Sequence, residues 1–401
     1  MRQALSLLLI LLISAGLAAA SATAEELSVP GDLDGDLVVS DEELRSAEEK
    51  CDAGEISEEE LAEIRLINER YPRTITDSVG RTVTIYRPLE RVVVFNSATI
   101  EIMRSLKTNT TIVGVDRYTK EDGIFFPEMT GEEVADVGTT DAPDYEAILE
   151  TEPEAVFVYA TNRVASSEEI QKTLNSADPG ITVIRLDGSN PEIYREEVEK
   201  IGTLFDREEE AEDYLSFYRD SVAGITDLAL DFSEEERPRV YLETPTGKTC
   251  ANGSIWHQRI VMAGGKNVFE NASIDYPEVD PESVIVKDPE IVIKICSTGS
   301  LKFGGYADDD PSEMKALCEE MMSRPGWDDI TAVKNGDVYV LSIDVFAGAE
   351  YFVGLNYLAK ILHPDLFCDL DPEAIQEEYI TGFQGLDYDL SKHGVFVYPE
   401  A

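Results

Sequence analysis

Residues 31–44, GDLDGDLVVSDEEL, set oxygen donors at intervals that suit a hard cation. Counting from Asp32, carboxylates stand at the first, third and fifth places: Asp32, Asp34 and Asp36. Val38 offers a backbone carbonyl at the seventh, Ser40 a hydroxyl at the ninth and Glu43 a carboxylate at the twelfth. Ca²⁺ takes roughly six to eight oxygen ligands, and this spacing is the one that wraps a loop around it. The expected metal is therefore Ca²⁺. One position departs: the sixth place, where glycine makes the sharp turn, is Leu37.

Residues 49–60, EKCDAGEISEEE, look like a degenerate second copy. Gly54, Ile56, Ser57 and Glu60 keep the sixth, eighth, ninth and twelfth places, but Cys51 and Ala53 replace donors. Two loop–helix units in tandem resemble a small all-α EF-hand or dockerin-like module over residues 25–70.

Elsewhere the sequence argues against catalysis. Its three histidines, His257, His363 and His393, form no H-E-x-x-H pair. A G-x-S-x-G elbow and a phosphate loop are both missing. With 81 acidic residues, pairs of carboxylates carry no information about glycoside hydrolysis. The expectation is a protein that is not an enzyme.

Net charge, 33 minus 81, is -48, which argues against nucleic acid or anionic membranes as partners and fits a salt-tolerant source. The opening MRQALSLLLILLISAGLAAASATAEE has a basic start, a short apolar run and an A-x-A site, as an export signal cleaved near Ala24 would. The expected location is extracytoplasmic. Among five cysteines, Cys250 and Cys296 both follow strands of one lobe and are the favoured disulfide pair.

These residues need positioning elements, and the hydropathy pattern supplies them. Thr74–Ile85, TITDSVGRTVTI, alternates around a Ser-Val-Gly turn as a hairpin does. Val92–Phe95 is a continuous apolar run that suits a strand covered on both faces. Further strands are expected at 111–115, 155–159, 182–186, 239–243, 291–295 and 337–341, with helices between them. Helical spacing then continues from Asn190 to Ala229, with a turn at Asp206. The predicted fold is α/β: two βα-wound lobes, 74–189 and 237–401, joined by a long rigid helix within 190–236. The last part, 363–401, is an acidic, aromatic tail expected to pack on the body.

The order D-x-x-G-R-x-V-x-I, P-x-x-R-V-V-V from Asp77 to Val94 resembles the opening of the class III substrate-binding proteins of ABC importers. That family captures ferric siderophores, haem and cobalamin. The run GSIWHQRIVMAGGKNVF, 253–269, resembles a segment of its second lobe. The resemblance implies that ligand-facing residues lie in loops after the strands of both lobes. In the first lobe these are Asn96, Ser97, Arg117, Tyr118, Tyr159, Asn162 and Arg163. In the second they are Ser254, Trp256, His257, Phe303, Tyr306, Phe346 and Tyr351. Aromatic surface with a few cations and amides suits a large, planar or anionic chelate better than a sugar or a bare ion.

The resemblance further implies that one glutamate per lobe docks on permease arginines. PDYEAILETEPEAVFV and VDPESVIVKDPEIVIKI have matching form and supply Glu146 and Glu282. An iron chelate, siderophore or haem, is the expected ligand, and a corrinoid such as cobalamin is the alternative. A different reading is a cell-surface interaction protein whose N-terminal module docks to a protein partner.

Overall fold

The computed structural model describes residues 28–400. The export signal expected over residues 1–24 lies outside them. No described helix is long and apolar enough to cross a membrane.

Two short helices come first, Asp41–Asp52 and Glu58–Arg70. Each starts with a capping box. Ser40 accepts from the Glu43 amide and Ser57 from the Glu60 amide, and each glutamate accepts back from the serine. Residues 49–60, the degenerate second copy, fold partly as helix. Glu49 to Asp52 form the last turn of the first helix, so the loop's opening positions are helical. The apolar face of the pair is not left open. Val39, Leu61, Ile64 and Ile67 share one core with Ile75, Val83 and Ile85 of the hairpin that follows.

That hairpin pairs β1 (Arg73–Thr76) antiparallel with β2 (Thr82–Ile85), Thr74 opposite Thr84. The buried Asp77 carboxylate closes its turn by accepting from the amides of Val79 and Arg81. The first lobe is a parallel sheet in the order β5-β4-β3-β8-β9. Its strands are β3 (Arg91–Val94), β4 (Thr111–Val115), β5 (Ala135–Asp136), β8 (Ala155–Tyr159) and β9 (Thr182–Leu186). A small antiparallel pair, β6 (Gly138–Thr139) and β7 (Ala142–Pro143), lies beside it. Val92, Val93 and Val94 are fully buried, as strands with helices on both faces must be.

The second lobe repeats the plan in the order β11-β10-β12-β13-β14. Its strands are β10 (Arg239–Glu243), β11 (Lys266–Asn267), β12 (Ile291–Cys296), β13 (Val338–Ser342) and β14 (Val397–Tyr398). Only β14, donated by the tail, runs antiparallel. Between the lobes, helix Tyr194–Leu204 is followed by a turn at Asp206, where φ is +55°, and then by helix Glu208–Asp231. Its 24 residues span about 36 Å at 1.5 Å each. Arg73 pairs with both Asp206 and Glu208, which ties the hairpin to this joint.

The cysteine expectation is corrected. All five are free thiols. Side chains alternate across the second sheet, so Cys250 joins the core that holds Leu242 and Ile293, and Cys296 the core that holds Val292 and Val340. The two lie on opposite faces and cannot bond.

Candidate ligand cleft

In open α/β sheets, ligands bind outside the carboxyl ends of the strands, where the strand order reverses. Here the reversals flank β3 and β10. The loops that leave those strands and their neighbours hold the expected residues in two different environments.

The rim is polar and reachable. Arg117, Tyr118, Asn162 and Arg163 are exposed at the carboxyl ends of β4 and β8, and Tyr118 is 71% exposed. Ser97 and Tyr159 are half-buried beside them. Burial pushes the Tyr159 phenol up, so it stays a neutral donor. Arg117 Nε donates to Asp136 at 3.0 Å, and Arg163 pairs with Asp141. Exposed pairs of this kind contribute little, so an anionic ligand can displace them cheaply. Arg163 itself has φ +53° and starts helix Val164–Ala177. On the second lobe Phe303 is half-buried. Trp256 keeps 9% exposure, edge-on to Phe346 at 5.8 Å and Tyr276 at 6.1 Å.

The other expected ligand contacts are interior, and here the structure corrects the sequence reading. Asn96 caps helix Ser97–Ser105, and its Nδ2 donates to Leu186 O at 3.1 Å. Ser254 caps helix Ile255–Met262. His257 is buried against Asn267, with its ring Nδ1 3.3 Å from the amide nitrogen, and burial pushes its pKa down. Tyr306 packs on Phe125, the rings tilted by 33° with centroids 5.0 Å apart. Phe346 and Tyr351 have no exposure, and the Tyr351 hydroxyl is 2.5 Å from that of Tyr218. Two physical reasons apply, one to the caps Asn96 and Ser254 and one to Tyr351. A strand end must cap the helix it feeds, and a helix that is apolar all round, such as Tyr351–Leu362, belongs inside.

Beneath the rim lie residues that the sequence reading missed. Arg259 is fully buried and joins the lobes: Nη2 donates to Ser189 O at 2.8 Å and Nη1 to Phe346 O. Its guanidinium stands over the Tyr351 ring at 4.8 Å. Glu101 and Glu350, one from each lobe, are buried nearby. Their signal in the sequence is faint, a lone charge inside an apolar helical run such as ATIEIM.

Glu146 and Glu282 are both exposed. Each lies in the first turn of a short helix, Tyr145–Glu150 and Pro281–Lys287, capped by Asp144 and Asp280. These helices occupy matching places, each before a central strand of its sheet, β8 or β12.

The acidic loop of residues 32–43 also takes shape. Oxygen atoms of Asp32, Asp34 and Asp36 all lie within 4.8 Å of one another. Leu37 adopts φ +68°, so the turn reserved for glycine forms despite its side chain. The Asp32 carboxylate accepts from the amides of Gly35 at 2.8 Å and Leu37 at 2.9 Å. Glu43 folds back to accept from Leu33 N at 2.7 Å, and the amides around it hold its carboxyl below the usual range.

Comparison with known proteins agrees with this architecture. The family model described as periplasmic binding protein matches residues 92–344. The molybdate-binding protein MolA of Haemophilus influenzae is 25% identical over 345 residues, 79% of this chain and 92% of that protein. A cobalamin-binding protein of Halobacterium salinarum is 28% identical over 226 residues, covering 56% of this chain and 58% of the relative. Among solved structures, the TroA-like periplasmic binding protein FepB of Veillonella parvula superposes with a TM-score of 0.69. It is 26% identical, and the match covers 81% of this chain and 99% of that one. With the family model spanning both sheets, this chain belongs to the periplasmic binding proteins that serve ABC transporters.

Proposed function

We propose that this protein captures an iron chelate, a siderophore or haem, between its lobes and delivers it to an ABC permease. The observation that carries the reading is the exposed rim. Arg117, Tyr118, Asn162 and Arg163 stand at the carboxyl ends of the two strands that flank β3. Guanidinium groups held by weak surface pairs, beside a phenol and an amide, recognise anionic oxygens on a flat ligand. A relative from Bacillus subtilis is named as an Fe(3+)-citrate-binding protein. Delivery falls to Glu146 and Glu282, which offer one exposed carboxylate on each lobe.

A corrinoid is the second reading. It is favoured by the relatives named for cobalamin or vitamin B12, from Halobacterium salinarum and Salmonella. The loop at Asp32, Asp34 and Asp36 is assigned to Ca²⁺, with the Val38 carbonyl, Ser40 and Glu43 completing the donor set. Calcium there would brace the entry to the first helix. A role for the N-terminal helices in docking a protein partner is disfavoured, because their apolar face is spent on the hairpin core.

The decisive experiment is mass spectrometry of the ligand that co-purifies from the native host. An iron chelate supports the reading, a corrinoid selects the second, and a sugar or amino acid overturns both.

A further inference from the structure

Three carboxyl groups from the two lobes meet beneath the cleft. Glu101, on helix Ser97–Ser105 of the first lobe, is 4% exposed. Glu350, which is 3% exposed, and Asp344 follow β13 of the second lobe. Tyr379 of the tail donates to Glu101 Oε2 at 2.9 Å, and the Ala349 amide to Oε1 at 3.4 Å. Tyr306 donates its hydroxyl to Glu350 Oε2 at 2.7 Å and its amide to Asp344 Oδ2 at 3.1 Å. A Cβ on Gly348 would come within 2.8 Å of Glu101 Oε1, so the second lobe's backbone closes tightly over this carboxyl.

Among the described residues, no Lys, Arg or His pairs with Glu101 or Glu350. Arg104 lies one turn beyond Glu101, but its guanidinium stands over Phe125 and Phe126 at 5.2 and 5.0 Å. Its Nη1 donates to Phe125 O at 2.8 Å and lies 3.4 Å from Glu128, while Nε and Nη2 have no described partner; its charge opposes the rise of both carboxyls, and burial outweighs it. The same protein shows the opposite solution at Glu243. There Lys294 Nζ sits 2.7 Å away and Arg324 adds a second cation, so the carboxyl stays ionised.

An ionised carboxylate out of water is costly without such partners, and two facing carboxyls resist ionising together. The groups around this pair supply donors but no positive charge in contact. Tyr379, Tyr214 and Tyr194 face Glu101, whereas Tyr306 and Asp344 face Glu350, and Asp122 faces Asp344. Burial pushes Glu101 up to about 7. Burial, then the charge of Glu101, pushes Glu350 well above its ordinary value.

We propose that Glu101 and Glu350 retain a proton between them near neutral pH and form a proton-dependent latch that positions the two lobes. The bearing on ligand capture rests on the proposed function, but the latch itself does not. The sign follows from linkage. Groups with raised values in the closed state stabilise it fully below about 4.5, their ordinary value, and the gain is lost as pH rises through about 7. Each group adds up to about tenfold per pH unit to opening of the interface; the Glu101 share levels above about 7, and the Glu350 share follows that group's own raised value.

The test uses the full-length mature protein without ligand. Infrared titration should show a protonated carboxyl band at pH 6 that fades near pH 7 and above. Hydrogen exchange over residues 347–350, corrected for intrinsic rates, should accelerate over the same window. Glu101→Gln, a neutral isostere, should remove part of the band and flatten the exchange profile; Glu350→Gln should do likewise. The proposal is overturned if no protonated carboxyl is present at pH 6, or if both variants keep the wild-type profile. Should the variants misfold, the infrared titration of Asp344→Asn decides, because burial also pushes Asp344 up to about 7 and this variant leaves the band to Glu101 and Glu350. A ligand of unexpected chemistry leaves these readouts unchanged, so it would count against the proposed function alone.

Discussion

The hydroxyl of Tyr379 donates to the buried carboxyl of Glu101 at 2.9 Å, across 278 residues of chain. This contact ties the tail to the first lobe. Gln384 adds to it by donating to Glu101 O at 3.1 Å and to Ser105 Oγ at 2.7 Å. The tail therefore does two jobs. It adds β14 to the second sheet, and it crosses to hold a helix of the first.

Replacing Tyr379 with Phe should expose the strength of that link. The ring keeps its packing against Phe352, 5.4 Å away, and only the donor is lost. A hydrogen bond to an ionised group is worth about 1.5–3 kcal/mol, and one between neutral groups about 0.5–1.5. The hydroxyl favours ionised Glu101. Chemical denaturation should thus show a larger loss at pH 8.5 than at pH 5.5. Equal losses at both would mean that Glu101 does not change state between them.

Calcium should stabilise the mature protein through the loop at Asp32, Asp34 and Asp36. Ligand at a hundredfold excess over its dissociation constant adds about 2.7 kcal/mol to a state that alone binds it. Asp32→Ala combined with Glu43→Gln should abolish both the calorimetric signal and the rise in thermal midpoint. Glu60→Gln, at the matching place of the second segment, should leave the calcium isotherm intact. An isotherm unchanged in the double variant would put the ion elsewhere.

Much of the scaffold can be read from the chain because its strands are apolar runs. β3, β8 and β12 are legible as such, and the break at Asp206 shows as a cluster of charge between helical segments. The cleft is less legible. Tyr306, Phe346 and Tyr351 have the composition of a ligand wall and are core. In helix Tyr351–Leu362 nearly every side is buried, so aromatic content cannot separate a cleft from an interior. Glu101 escapes notice for a different reason. Its partners are Ala349 and Tyr379, and nothing within its own helix reports contacts so far along the chain. Ser-x-x-Glu closes a capping box in both acidic segments, so that spacing alone does not separate a cap from a cation loop.

Ligand affinity should depend on the rim cations. Arg117→Ala and Arg163→Ala each free an aspartate and remove a fork for anionic oxygens. Each should weaken binding of a ferric chelate by on the order of tenfold, mainly through faster release. Trp256 is the tryptophan nearer the cleft, since Trp327 is 1% exposed in the second lobe's core. Quenching by a coloured chelate should therefore fall in Trp256→Phe and persist in Trp327→Phe. The reverse pattern would move the ligand away from the loop after β10.

Delivery can be separated from capture at Glu146 and Glu282. Both are exposed, both lie in the first turn of a helix capped by aspartate, and each helix precedes a central strand of its lobe. Neither is among the rim residues assigned to ligand. Carboxylates that stay solvated until docking steer the encounter and fix orientation. Reversing both to Lys should leave chelate affinity unchanged while lowering uptake by reconstituted transporter. The defect in permease binding should be larger at low salt, where the screening length is longest, and shrink as salt rises. A single reversal should cost less than the pair, because one lobe would still be correctly engaged. Normal uptake by the double variant through a competent permease would remove both glutamates from the docking surface and place the contact elsewhere on the lobes.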